Sequence, residues 1–185
     1  MSQIHFGGSR SLPETRLIHQ VVSVTLAAGH SAHVGCAIGA DAQVIRAALD
    51  YDPARLSVFA AFAGDGSGAW SGSATFDVFT AMEVGADVSF SAGGPLSVPL
   101  VGRLMARSRA ALSGCSAAVF FLAAPSSPGS LAVAALAVRF QIPVFAFCSP
   151  GHPNAPRGCS GRWVAGSLKG GFSCWRWQPA QSKFC

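Results

Sequence analysis

Acidic residues run out early in this chain. All eight lie at or before Asp87, whereas nine of the thirteen Lys and Arg lie beyond it. A half with bases and no acids is a candidate surface for phosphate-rich partners, or the result of compositional drift in an Arg-rich, Lys-poor protein. Charge is scarce overall: 11% of residues are Asp, Glu, Lys or Arg, against about a quarter in an average globular chain. Half of the residues are apolar, which argues against disorder and, with so little charge, points to a homo-oligomer. Long hydrophobic runs are missing. Residues 117–124 form a run too short to span a bilayer, and Ser126, Ser127, Pro128 and Gly129 end it. Met1-Ser2-Gln3-Ile4-His5 has no basic region leading into an apolar stretch, so no secretory signal or membrane is expected, and a cytoplasmic location follows.

Metal and disulfide patterns are missing too. Cys36, Cys115 and Cys148 fall in or beside expected buried elements, where a thiol behaves as a small apolar group. Cys159, Cys174 and Cys185 lie near the C-terminus without C-x-x-C spacing, and His152 does not complete a ligand set, so no metal is expected. His5, His19, His30 and His33 are scattered, and no Ser–His–Asp order or spaced carboxylate pair is visible. No catalytic residue and no cofactor are assigned, although Asp65 in a glycine loop is placed for acid–base work.

What is present is a series of glycine-bearing turns between strands and helices. Residues 4–6 read as a strand that runs into Gly7-Gly8-Ser9-Arg10. Ser11-Leu12-Pro13-Glu14 has the form of a capping box for a helix carrying Leu17, Val21 and Val24 and ending near Gly29. Residues 33–36 read as a second strand. The turn at 37–41 then leads to Asp41, which is placed to cap a helix carrying Val44, Ile45, Ala48 and Leu49. Residues 56–62 have the continuous apolar character of a strand buried on both faces. A short helix at 75–84, a short strand at 88–90 and a loop at 91–97 precede a helix at 99–112. The strand at 117–122, the turn at 125–130, a helix with Leu131, Ala134, Ala135 and Val138 on one face, and a strand at 143–147 complete the series.

Strands alternating with helices imply an α/β, Rossmann-like three-layer sandwich with a mostly parallel sheet over residues 1–149. Beyond 150, Pro153, Pro156, Gly158, Gly161, Gly170 and Gly171 interrupt any regular element, so residues 150–185 read as an irregular tail docked on the domain or on a dimer partner. Ligands in such sheets bind beyond the carboxyl ends of the strands.

Gly7-Gly8-Ser9-Arg10, Gly35-Cys36-Ala37-Ile38-Gly39-Ala40-Asp41, Arg107-Ser108-Arg109, Pro128-Gly129-Ser130-Leu131 and Pro143-Val144-Phe145-Ala146-Phe147 come in an order and spacing that resembles the SLOG superfamily. That is the Rossmann-like group of the DprA/Smf and LOG "lysine decarboxylase-like" proteins, and the resemblance covers roughly residues 3–149. It implies a nucleotide-type ligand held by these loops, and often a homodimer. Two departures stand out. LOG phosphoribohydrolases carry P-G-G-x-G-T-x-x-E with a catalytic Glu, and 128–133 offers no acid. In many relatives the second turn reads G-x-A-R-G-A-D, and Ile38 stands where the Arg would be. DprA proteins, which bind single-stranded DNA, are longer.

The candidate ligand-binding residues are Gly7, Gly8, Ser9, Arg10, Gly39, Asp41, Arg103, Arg107, Gly129 and Ser130. Arg10 offers a fork to a phosphate beside backbone donors, or pairs with Asp41 or Glu14. Gly129 and Ser130 suit an anion at a helix N-terminus, or Ser127 and Pro128 simply start that helix. Arg103 and Arg107 share a helix face, so one reaches a pocket or both line a solvated basic face. Asp41 accepts a ribose hydroxyl or an amine, or caps its helix. In the tail, Trp163, Trp175 and Trp177 alternate with Arg157, Arg162, Lys169, Arg176 and Lys183. They either stack on bases or cover a core edge, the commoner use. The expected function is non-catalytic binding of a nucleotide-derived molecule. Single-stranded nucleic-acid binding through the basic half is the alternative, and LOG-like hydrolysis ranks below both.

Overall fold

The computed structural model describes residues 1–149, 154–156, 161–168 and 170–179. Its elements run β1 (Gln3–Gly8), α1 (Arg16–Ala27), β2 (Ser31–Val34), α2 (Ala40–Leu49), a 3-10 turn (Pro53–Arg55), β3 (Leu56–Phe59), α3 (Thr75–Glu83), β4 (Asp87–Ser89), α4 (Leu100–Leu112), β5 (Cys115–Leu122), α5 (Pro128–Arg139), β6 (Val144–Cys148), β7 (Gly161–Leu168) and β8 (Phe172–Pro179). Eight strands form one sheet in the order β4-β3-β2-β1-β5-β6-β8-β7. β1 to β6 are parallel; β8 runs antiparallel to β6 and β7 antiparallel to β8.

Strand alternation sorts the core into two layers. Ile4, Phe6, Val119 and Phe121 pack with α1, α2 and α3 residues such as Ile18, Val22, Ile45 and Val78. The intervening Ala118, Phe120 and Leu122 pack with Leu112 of α4 and Ala134 and Ala137 of α5. Helices α1–α3 therefore cover one face and α4–α5 the other, as right-handed crossovers on either side of β1 require. The result is the expected α/β three-layer sandwich around a mostly parallel sheet. Among the described residues no helix is long and apolar enough to cross a membrane.

Several local expectations change. The C-terminal region is not irregular throughout. Gly161 begins β7, and Gly170 and Gly171, at φ +96° and +80°, turn the chain from β7 into β8. Glycine here supplies the turn of a hairpin and does not break one. Trp163 lies opposite Trp177 across that hairpin. Trp163, Trp175 and Trp177 all pack partly against the α5-side core, the core-edge use. Pro153, Gly158, Arg157, Lys169, Lys183, His152, Cys159 and Cys185 lie outside the described residues.

The capping box does not form. Helix α1 starts at Arg16, and the Thr15 hydroxyl accepts from the Leu17 N–H at 3.3 Å. Gln43 decides this. Its amide donates to the Leu12 and Pro13 carbonyls and accepts from the Thr15 N–H, holding 12–15 as a non-helical link. Asp41 sits in the first turn of α2 and is not its N-cap, which is Gly39. Strand β3 ends at Phe59, before 62, because the chain beyond it bonds irregularly with 89–92, through Ala60 N–H to Ser89 O and Ser91 N–H to Phe62 O.

Gly7 and Gly8 belong to β1 and not to the turn after it. A Cβ on Gly8 would overlap the Phe121 carbonyl and lie 2.7 Å from the Ala40 Cβ. Gly8→Ala is expected to destabilise by about 1–3 kcal/mol through overpacking, read as a lower urea midpoint at unchanged m-value.

Candidate functional site at the carboxyl edge

Strand order reverses at β1: β2, β3 and β4 lie to one side and β5 and β6 to the other. The carboxyl ends of β1 and β5 flank this switch point, where open α/β sheets take ligands. Ser9 joins the pieces around it. Its N–H donates to Phe121 O at 2.9 Å, and its hydroxyl accepts from the Ala123 N–H at 3.0 Å and donates to the Ser127 hydroxyl at 2.7 Å. Ser127 in turn donates to Ala124 O. The Ser9 carbonyl accepts from the Leu12 and Ala40 N–H groups. The amino end of α2 is thus closed by protein. Gly39, at φ +79°, is needed there because the Ser9 and Arg10 carbonyls occupy the space of a Cβ.

Beneath this edge lies a buried ion pair. Arg107 of α4 donates to the Asp41 carboxylate of α2 at 3.4 Å, with the side chains 9% and 7% exposed. The Ala37 N–H also donates to Asp41. The two helices lie on opposite faces, so the pair reaches across the sheet edge, and Gly35 leaves the room: a Cβ there would overlap the guanidinium. Burial pushes the Asp41 carboxyl above its usual range, and the Arg107 charge pulls it partly back. The Arg107 Nε and the His5 Nδ1 are buried without partners. Burial, then Arg107, then His33, lower the His5 pKa to about 3. Burial raises the Cys36 thiol, which accepts from the Ala61 N–H, so it is not a ready nucleophile.

These contacts redistribute the expected site. Gly7, Gly8 and Gly39 serve close backbone approach, and Ser9 is committed to Ser127 and Ala123. Asp41 and Arg107 hold each other and do not offer themselves to a ribose or a phosphate. Arg103 is also buried and donates to the carbonyls of Val98, Ala61 and Gly68, anchoring the 61–68 loop to α4. Neither arginine forms part of a solvated face. Asp65 is exposed, and hydrogen bonds from Ser67 lower its pKa, the wrong direction for a general acid at neutral pH. Among the described residues no group of three or more His, Cys, Asp or Glu could hold a metal.

What remains uncommitted is Arg10 and the amino end of α5. Arg10 pairs with neither candidate acid: Asp41 holds Arg107, and Glu14 lies 3.5 Å from Arg46. A Glu14 carboxylate at the phosphate position is therefore not an obstacle. The Arg10 side chain runs to Gly72, where a Cβ would lie 3.3 Å from its Nη1 and 2.8 Å from the indole Nε1 of Trp70. That Nε1 is buried and has no acceptor. Two N–H donors thus flank one glycine. Trp70 is fixed by a turn in which the Ser73 N–H and hydroxyl both donate to its carbonyl, and the Gly72 carbonyl accepts from the Ile38 N–H. On the other side of Ser9, the Gly129 and Ser130 N–H groups at the start of α5 find no backbone acceptor among the described residues, and Pro128 has no N–H.

Sequence reasoning missed Trp70 and Gly72. The one available signal was the only tryptophan outside the tail. Comparison with protein-family models, curated proteins and solved structures gives no match.

Two outcomes are expected. Arg107→Met leaves a buried carboxylate unpaired and is expected to cost about 3–5 kcal/mol at neutral pH. The loss should shrink in acid as Asp41 protonates, and Asp41→Asn in the same chain should restore part of it; urea melts at two pH values read both. For His5 the unfolded chain titrates near 6.5 and the folded one near 3. The unfolded state binds more protons between those values, so stability falls as pH drops through that window, by up to about 1.4 kcal/mol per pH unit. His33, also lowered by burial, adds the same sign, and the raised Asp41 opposes it. In urea melts between pH 7 and 4, His5→Asn should therefore flatten the acid slope by up to one proton.

Proposed function

We propose that this chain is a SLOG-like, non-catalytic binding protein for a nucleotide or nucleotide-derived small molecule, held at the carboxyl edge between Arg10 and the amino end of α5. The observation that carries the proposal is the meeting of the exposed Arg10 guanidinium with the buried, unpartnered Trp70 Nε1 beside Gly72. A phosphate oxygen answers both, and an arginine fork suits it. The Gly129 and Ser130 N–H groups supply a second anion-suited end along the same edge. Arg10 replaces the lost contact at Ile38 only if the ligand lies on its side of the edge. This proposal keeps the cytoplasmic location and the homo-oligomer as parts of it.

Binding of single-stranded nucleic acid ranks second. Arg162 and Arg176 are exposed on the β7–β8 hairpin, but the neighbouring tryptophans pack on the core, and Arg103 and Arg107 are unavailable to a backbone. Hydrolysis stays third, with no acid in the α5 turn.

Isothermal titration with nucleoside monophosphates, ADP-ribose and a single-stranded oligonucleotide tests the proposal. A nucleotide is expected to bind, and Arg10→Ala to weaken it tenfold or more, in line with about 1.5–3 kcal/mol for a charge-assisted hydrogen bond. Trp70→Phe should cost several-fold and Arg139→Ala nothing. No heat with any nucleotide, or full binding by Arg10→Ala, would sink the proposal. Steeply salt-dependent binding of the oligonucleotide alone favours the second reading.

A further inference from the structure

A cavity lies at the amino end of the sheet, between α1 and the β7–β8 hairpin. On the α1 face, β1 and β2 are roofed by α1 and α2. Among the described residues, the β7–β8 hairpin packs over the lower parts of β5 and β6 on that face. Ala117, Val119 and Phe145 form the floor. Val21 and Val24 of α1 make one wall, and Leu168 and Phe172 at the hairpin turn make the other. Gly170 of the hairpin turn approaches α1: a Cβ on it would come within 3.5 Å of Val24. The space, partly open to solvent, is about 150 Å³, room for a benzene-sized ring.

The lining is not wholly apolar. Thr25 is there, but its hydroxyl already donates to Val21 O at 2.7 Å. His30, at the start of the β2 side, also lines the space, and its Nδ1 is buried with no partner. A buried polar atom left alone costs free energy that a ligand can recover. Among the lining side chains a water would find only the Thr25 oxygen and His30 Nδ1, fewer partners than a buried water usually makes.

We propose that this cavity binds a small planar aromatic molecule of phenol to indole size, whose single O–H or N–H donates to His30 Nδ1. The two requirements are independent of each other: the ring fills the space between Phe145, Val24 and Phe172, and the polar group answers the unpartnered His30 Nδ1. The site shares no residue with the carboxyl edge, so it stands whether or not a nucleotide binds there.

Ligand-observed and valine-methyl NMR on the full chain, with indole, phenol and toluene as probes, test this. Saturable binding of indole and phenol is expected, with shifts at Val21, Val24 and Val119. Ala117→Leu, which fills the cavity from the floor, should weaken indole at least tenfold. Val24→Phe fills it from the half-exposed helix side and serves if the first variant does not fold. His30→Ala should lower the phenol-to-toluene affinity ratio several-fold, and Arg10→Ala should change nothing. Absence of saturable binding, indole binding that survives both filling variants, an unchanged phenol-to-toluene ratio in His30→Ala, or loss of indole in Arg10→Ala would each overturn the proposal.

Discussion

The contact between Asp41 and Arg107 holds the two helical layers in register at the carboxyl edge. Asp41 belongs to a helix on one face and Arg107 to a helix on the other, so their meeting place must be the end of the sheet between β1 and β2. Gly35 makes it possible, since any side chain there would take the space of the guanidinium. Two charges buried this far are expensive unless paired. The pair therefore fixes the relative depth of α2 and α4, and with it the turn at 35–39 whose Gly39 packs on Ser9 and Arg10. The neighbouring His5 is kept uncharged by burial beside that guanidinium, which makes this corner of the molecule sensitive to acid.

Because the pair uses up Arg107, and backbone carbonyls use up Arg103, the edge presents fewer free cations than a count of arginines implies. Ser9 narrows it further by tying β1 to β5, α2 and the Ser127 hydroxyl. The surviving donors lie to either side of that knot: Arg10 with Trp70 on one side, the first N–H groups of α5 on the other. An edge so arranged can hold an anion. The carboxylates weighed for acid–base work are otherwise engaged: Asp41 is buried in its ion pair and the Ser67 hydrogen bonds lower the Asp65 pKa.

At the other end the sheet is edged by the β7–β8 hairpin. β6 is followed by an antiparallel hairpin, which protects the edge of β6 and carries three tryptophans onto the α5-side core. On the α1 face its turn only bridges toward Val24. The mostly apolar cleft, with the unpartnered His30 Nδ1 in its wall, lies between that turn and α1.

The alternation of apolar runs with helical periodicity was legible in order from residue 3 to residue 148, and so was the parallel sheet, because each element carries its own period and its own glycine or proline punctuation. The lack of an acid in the α5 turn was equally plain in the chain. Local signals misled where a distant partner competed: Gln43 drew 12–15 out of the capping box, and Gly170 and Gly171 built a turn where they were read as breaks. The sequence by itself determined the fold class, the position of the special turns and the shortage of acids. Tertiary structure alone decided which arginines were already occupied, that Trp70 meets Arg10 across Gly72, and that a cavity remains under α1. Arg103 reaches Ala61, 42 residues away, and Arg107 reaches Asp41, 66 away, and spacing along a chain does not encode such distances.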